Sequence, residues 1–153
     1  MTHLVRSPLA HAVTGCAITV HRALGPGLLE SSYLECLGYE LAKRGLSFRT
    51  QVALPICYDG HQLNCGYRLD LVIADALLLE VKSVERILPV HMAQTMTYLK
   101  LSGLSQALLL NFNVTCLRDG IRSFLQASGR IHNDQIEIID DEPLVDWSVQ
   151  PPT

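Results

Sequence analysis

GYRLDLVIADALLLEVKS, residues 66–83, sets two apolar runs on either side of the short polar break Ala74-Asp75. Such a pattern predicts a β-hairpin. Its first arm carries Asp70; its second carries Glu80 and Lys82, separated by Val81. Charges on otherwise apolar strands need a partner, because burying an unpaired charge is costly. One reading supplies a divalent cation, held by the two carboxylates, with the lysine beside the water it activates. The other is a partly exposed hairpin whose charges face water. Side chains alternate along a strand, so Glu80 and Lys82 share a face. Asp70 joins them only if the turn is odd in length, as with Ala74–Ala76, or if an arm carries a bulge. A two-residue turn would pair Leu69 with Glu80 and send Asp70 to the far side.

The rest of the chain bounds what this hairpin can belong to. At 153 residues, with 48% hydrophobic and 18% charged residues, the expectation is one domain with a well-filled core. No apolar run reaches the length of a membrane span, and MTHLVRSPLA at the N-terminus is not a secretory signal segment. Cys16, Cys36, Cys57, Cys65 and Cys116 are odd in number and include no Cys-x-x-Cys pair. They read as small buried hydrophobes of a reducing, cytoplasmic environment, with Cys57 and Cys65 placed to face one another across a hairpin. Net charge is -3, which argues against a strong nucleic-acid binder. The charge is uneven, however. Residues 131–153 contain no Lys or Arg and six acids, so residues 1–130 carry 12 basic against 9 acidic groups. A mildly basic domain over 1–130 followed by an acidic tail over 131–153 is the expected organisation, and weak phosphate attraction follows from it.

Taken in order, Leu9, Val13, Cys16, Val20 and Leu24 lie on one helical face. Ser7-Pro8 starts that helix and Gly25-Pro26-Gly27 stops it. His21, near its end, serves the last carbonyls or reaches the site. A second helix is expected from Leu28 to Arg44, buried along Leu34, Leu37 and Leu41. Glu30 in its first turn either complements the helix N-terminus or points a third acid at the metal, with Tyr33 packed beneath. Ser47–Tyr58 reads as a strand and Asp59-Gly60 as a hairpin turn. The helix from Val90 to Leu101 is expected to face inward along Val90, Ala93, Thr97 and Leu101. It presents His91, Gln94 and Tyr98 on another side, where Gln94 and Tyr98 could order phosphate or water, or simply form a half-exposed face. Ser105–Asn113, with an unbroken apolar run, suits an interior strand parallel to a neighbour. Asp119–Gln126 is expected as a last short helix and Ile136–Ile139 as a strand-like patch.

The order is an α/β sandwich around a small mixed sheet. The blocks VHRALGPGLLESSYLE, YRLDLVI, LLLEVKSVE, PVHMAQTMTYLKLSG and LLLNFN resemble the Gly-x-x-Glu-x-x-Tyr (GxxExxY) family of small proteins, grouped with the PD-(D/E)xK nuclease superfamily. The resemblance covers about residues 10 to 125 and leaves out the C-terminal tail. It implies a restriction-endonuclease-like three-layer sandwich, a small mixed β-sheet flanked by helices. It also implies roles. Asp70 matches the first acidic position and Glu80-Val81-Lys82 the (D/E)xK triplet. Gln94 and Tyr98 resemble a Gln-x-x-x-Tyr helix motif, and Glu30 matches an additional acid. Leu69 stands where the superfamily name has proline, a position at which proline is dispensable.

On that footing the expected activity is Mg²⁺- or Mn²⁺-dependent phosphodiester hydrolysis of nucleic acid, DNA ahead of RNA. Asp70, Glu80 and the Val81 carbonyl bind the ion, Lys82 positions the water, and Glu30 completes the outer shell or holds a second ion. A homodimer is the form in which so small a core cuts both strands. The competing expectation is a non-catalytic nucleic-acid-binding or protein-interaction module that keeps the nuclease fold.

Overall fold

The computed structural model describes residues 7–127 and 130–134. Helix α1 (Pro8–Leu24) opens as its sequence predicts: the Ser7 hydroxyl accepts the Ala10 N–H at 3.3 Å, and proline occupies the first turn. Helix α2 is Glu30–Lys43. Strand β1 (Phe48–Ala53) ends before Pro55, which has no N–H to continue a ladder. The expected single strand over Ser47–Tyr58 is therefore broken. Its second part, β2 (Ile56–Tyr58), pairs with β3 (His61–Leu63) as a separate ribbon across the Asp59-Gly60 turn. In that ribbon Cys57 lies opposite Gln62 rather than Cys65, and Cys57 and Cys65 are both exposed and not joined to one another.

Strands β4 (Arg68–Ile73) and β5 (Leu77–Lys82) form the central hairpin. After α3 (Pro89–Ser102) comes β6 (Gln106–Asn111), parallel to β5. This is the covered interior strand that its apolar run predicts. The segment expected as a final short helix is instead one 3₁₀ turn, Leu117–Gly120, followed by strand β7 (Ile121–Ala127) and β8 (Arg130–Asp134). The free edge of β6 decides this: Leu110 pairs with Ile121 and Ala107 with Phe124, and Phe124 is buried. Tertiary pairing overrides a weak helical pattern. The Ile136–Ile139 patch and the rest of the acidic tail lie outside the described residues.

The six-stranded sheet runs β1-β4-β5-β6-β7-β8. Helices α1 and α2 cover one face, where Val13, Tyr33, Leu37, Leu71, Leu79 and Leu110 pack together. Helix α3 covers the other, with Leu99 against Leu78, Leu109 and Phe124. This is the three-layer α/β/α sandwich. Fully burying such a leucine stabilises by about 1.5–3 kcal/mol. The inward face of α3 differs from expectation. Val90 is 64% and Leu101 40% exposed, whereas Thr95 and Leu99 are buried with Met92 and Met96 beside them. Apolar residues lie all round this helix, so spacing alone does not choose a face. Thr95 buries at no loss because its hydroxyl donates to the His91 carbonyl at 3.1 Å.

Gly120 shows how tightly the β6 end is packed. A Cβ there would collide with the Asn111 carbonyl. Gly120→Ala is expected to destabilise by about 1–3 kcal/mol in urea titration, since the obstructing atom is backbone and cannot rotate away.

Candidate active site

The register of the central hairpin decides whether its charges meet. Ile73 pairs with Leu77 and Leu71 with Leu79, so three residues, Ala74–Ala76, connect the strands. The turn is the odd one, and Asp70 lies opposite Glu80. Ala74 (φ 52°) and Asp75 (φ 50°) are both left-handed, and Ala76 N–H donates to the Ile73 carbonyl at 3.1 Å. This is a type I′ arrangement, which suits the twist of a hairpin.

The ladder then opens at the two acids. Asp70 N–H donates to Glu80 Oε1 at 3.2 Å, and Val81 N–H donates to Asp70 Oδ2 at 2.9 Å. Side-chain carboxylates stand where backbone carbonyls would continue the pairing. On the other side of β4, Gln51 takes a left-handed φ of 49°. Phe48 and its partner Ile73 pack under α1 and α2, whereas Val52 and its partner Leu69 pack under α3. The two strands thus change faces together around Gln51 and Asp70. Asp70 sits at the crossover, where the sheet parts.

The carbonyl of Val81 faces the same opening. Lys82 C=O accepts from Phe112 N–H on the β6 side, at 2.9 Å, while Val81 N–H turns toward Asp70 on the β4 side. In a strand the N–H and C=O of one residue point the same way and alternate along the chain.

Burial governs the electrostatics. Glu80 is 3% exposed; burial first, then the negative charge of Asp70, pushes its carboxyl up to about 8. Asp70 is also raised, by burial first, with Glu30 adding to the rise and Lys82 opposing it. Two close carboxyls that cannot both ionise share a proton near neutral pH. Lys82 Nζ donates to Gln94 Oε1 at 3.0 Å, which fixes the amide's orientation, and Gln94 Nε2 donates to the Tyr98 hydroxyl at 3.2 Å. Tyr98 is itself raised by burial and, more weakly, by Glu80, Tyr67 and Asp70. Lys82, Gln94 and Tyr98 therefore form one hydrogen-bonded chain beside the carboxylates.

Glu30 stands at the margin. It is exposed, and its Oε1 accepts the Ser83 N–H at 3.4 Å. Among the described residues, no group of three or more His, Cys, Asp or Glu side chains is gathered closely enough to hold a metal. His21 does not join the site: it is buried, with Nε2 2.8 Å from the Val114 carbonyl.

Sequence reading misses three contributors. Tyr67 meets Tyr98 edge-on, with ring centroids 6.1 Å apart; it lies three residues before Asp70, within the block YRLDLVI but with no role read for it. Ser83 is tied to Leu28 across 55 positions of chain. Asn111, at the end of β6, is buried and clasps Val84, accepting its N–H at 3.0 Å and donating to its carbonyl at 2.9 Å. An apolar strand ending in a single amide is the one signal that could have marked it. Asn111→Ala strips the Val84 N–H of its partner and leaves the Val84 carbonyl only the 3.4 Å bond from Asn113 Nδ2; it is expected to lower stability by about 1–3 kcal/mol in urea titration.

Two carboxylates and a backbone carbonyl at one opening are all-oxygen donors, and each carboxylate keeps a second oxygen beyond those engaged by backbone N–H groups. This donor set fits Mg²⁺ or Mn²⁺, ions commonly held by one or two carboxylates, waters and substrate phosphate. Searches of the curated proteins and of the solved structures gave no match. Compared with known families, residues 7–124 match the PD-(D/E)XK nuclease superfamily. That span contains both acids, the lysine and the α3 pair, and the chain belongs to the PD-(D/E)XK nuclease superfamily.

Proposed function

We propose that this chain is a divalent-metal-dependent phosphodiesterase of the GxxExxY group, acting on nucleic acid and on DNA ahead of RNA. The observation that carries this reading is the parted ladder, where Asp70, Glu80 and the Val81 peptide open beside the Lys82–Gln94–Tyr98 chain. Gly27, Glu30 and Tyr33 support the group assignment, because all three fall in the turn and first helical turns that adjoin the end of β5.

Asp70, Glu80 and the Val81 carbonyl would hold Mg²⁺ or Mn²⁺. Such an ion supplies charge neutralisation at the phosphate and a more acidic water. The protein's own groups do the rest. Lys82, anchored by Gln94, holds the attacking water and offsets its developing negative charge. Tyr98 has accepted a hydrogen bond from Gln94 and has its own O–H to offer a phosphate oxygen. Glu30, outside the carboxylate pair, orders the outer waters. To hold an ion Glu80 would have to be in its carboxylate form, and burial keeps that carboxyl protonated up to about 8, so at subsaturating metal cleavage is expected to rise with pH toward about 8.

The test is incubation of the full chain with single-stranded DNA, duplex DNA and RNA, in Mg²⁺ or Mn²⁺ against EDTA. Metal-dependent cleavage that Asp70→Asn abolishes supports the reading. Binding without cleavage under every condition would overturn it in favour of a non-catalytic module.

A further inference from the structure

The turn between α1 and α2 is built around one hydroxyl. Tyr33 is completely buried, stacked on Phe112 with centroids 4.4 Å apart and planes 15° apart. Its O–H donates to the Gly25 carbonyl at 2.6 Å and accepts the Leu28 N–H at 3.1 Å. One hydroxyl thus closes the loop Gly25-Pro26-Gly27-Leu28 on itself, and Gly27 (φ 99°) supplies the conformation that other residues resist. Leu28 then presents its carbonyl outward, where the Ser83 hydroxyl donates to it at 2.6 Å. Glu30 Oε1 takes the Ser83 N–H from the same side. Ser83 directly follows Lys82.

We propose that this closed turn is a bracket that positions the reactive end of β5, with Tyr33 as its keystone and Ser83 as the point it grips. Tyr33 and Ser83 are positioning residues, acting on the site through Lys82. The proposal rests on the phosphodiesterase reading for its kinetic consequence but not for its structural one. Lys82 is held by Gln94 at its tip and by Phe112 at its carbonyl. The bracket adds a hold on the next residue from the opposite layer. Without it, the ammonium keeps its partner but loses its placement relative to Asp70 and Glu80, and small misplacements of a catalytic group can cost as much as about a hundredfold in rate.

The experiment compares Tyr33→Phe, which keeps the ring and its stack on Phe112, with Ser83→Ala, Ser83→Thr and the Tyr33→Phe/Ser83→Ala double variant. Two measurements are made: amide hydrogen exchange at Leu28 and Ser83, and kcat and KM on whichever nucleic acid the parent cuts. The expected result is exchange at both amides at least about tenfold faster in Tyr33→Phe. With it, kcat falls about 10- to 100-fold while KM stays within about twofold. Ser83→Ala matches this loss, the double variant is no worse than either single change, and Ser83→Thr restores the rate. Unchanged exchange at Ser83 in Tyr33→Phe overturns the bracket, as does a double variant whose loss is the product of the singles. Should Tyr33→Phe fail to fold, Ser83→Ala with its Ser83→Thr rescue decides the matter alone. If the parent cuts nothing, the phosphodiesterase reading fails, and the exchange result by itself upholds or overturns the bracket.

Discussion

Lys82→Met is expected to leave the fold in place and to reduce phosphodiester cleavage by about 10²–10³-fold, the range for removing one group that offsets charge developing in the transition state. Methionine matches the length of the lysine stem and can cover the same surface. What disappears is the ammonium at the end, 3.0 Å from Gln94 Oε1. Gln94 is half-buried, so its freed oxygen can reach water, and the stability cost is held to about 1 kcal/mol. A steady-state assay beside a thermal melt separates the two effects. Cleavage at the parent rate in a well-folded Lys82→Met protein would rule out the assigned role.

Glu80→Gln has the second large effect, and it appears without metal. Glu80 ionises near its ordinary value in the unfolded chain but only at about 8 in the folded one, chiefly because it is buried. The folded state therefore keeps a proton that the unfolded state has released. Metal-free stability is full below the unfolded value and is lost progressively as pH rises toward about 8. Glutamine keeps the shape and cannot ionise, so this loss vanishes. At pH 8 the metal-free variant should be more stable than the parent by about 2–4 kcal/mol, with the difference shrinking toward pH 4.5. Urea titrations at several pH values in EDTA measure it. Parallel pH profiles for the two proteins would show that Glu80 is not held protonated.

How far the sequence foretold this site depends on whether the deciding contact is local. The hairpin and its acids follow from the two apolar runs of residues 66–83, and a strand's period of two made the demand on the loop legible; that the turn is the odd one came only from the register of β4 and β5. The parallel interior strand β6 was legible from its unbroken apolar run. The Lys82–Gln94–Tyr98 chain was legible in part: helical spacing put Gln94 and Tyr98 on one side, but nothing local shows that Gln94 meets Lys82. The misreadings share a cause. Asp119–Gln126 became a strand because β6 offered an edge, and α3 buried Thr95 and Leu99 because the sheet chose among several apolar stripes. Tyr33, Ser83 and Asn111 act through backbone groups of Leu28 and Val84, which lie 5, 55 and 27 positions away. A backbone acceptor leaves no trace in residue identity.

The cation site proposed at Asp70 and Glu80 requires the pair to surrender a proton on binding the ion. Isothermal titration calorimetry of the metal-free protein with Mn²⁺ at pH 7, repeated in buffers of different ionisation enthalpy, counts protons released per ion bound. The account predicts binding of one ion with close to one proton released, binding without proton release in Glu80→Gln, and greatly weakened binding in Asp70→Asn. Mn²⁺ binding that releases no proton and is equally tight in Asp70→Asn would contradict it.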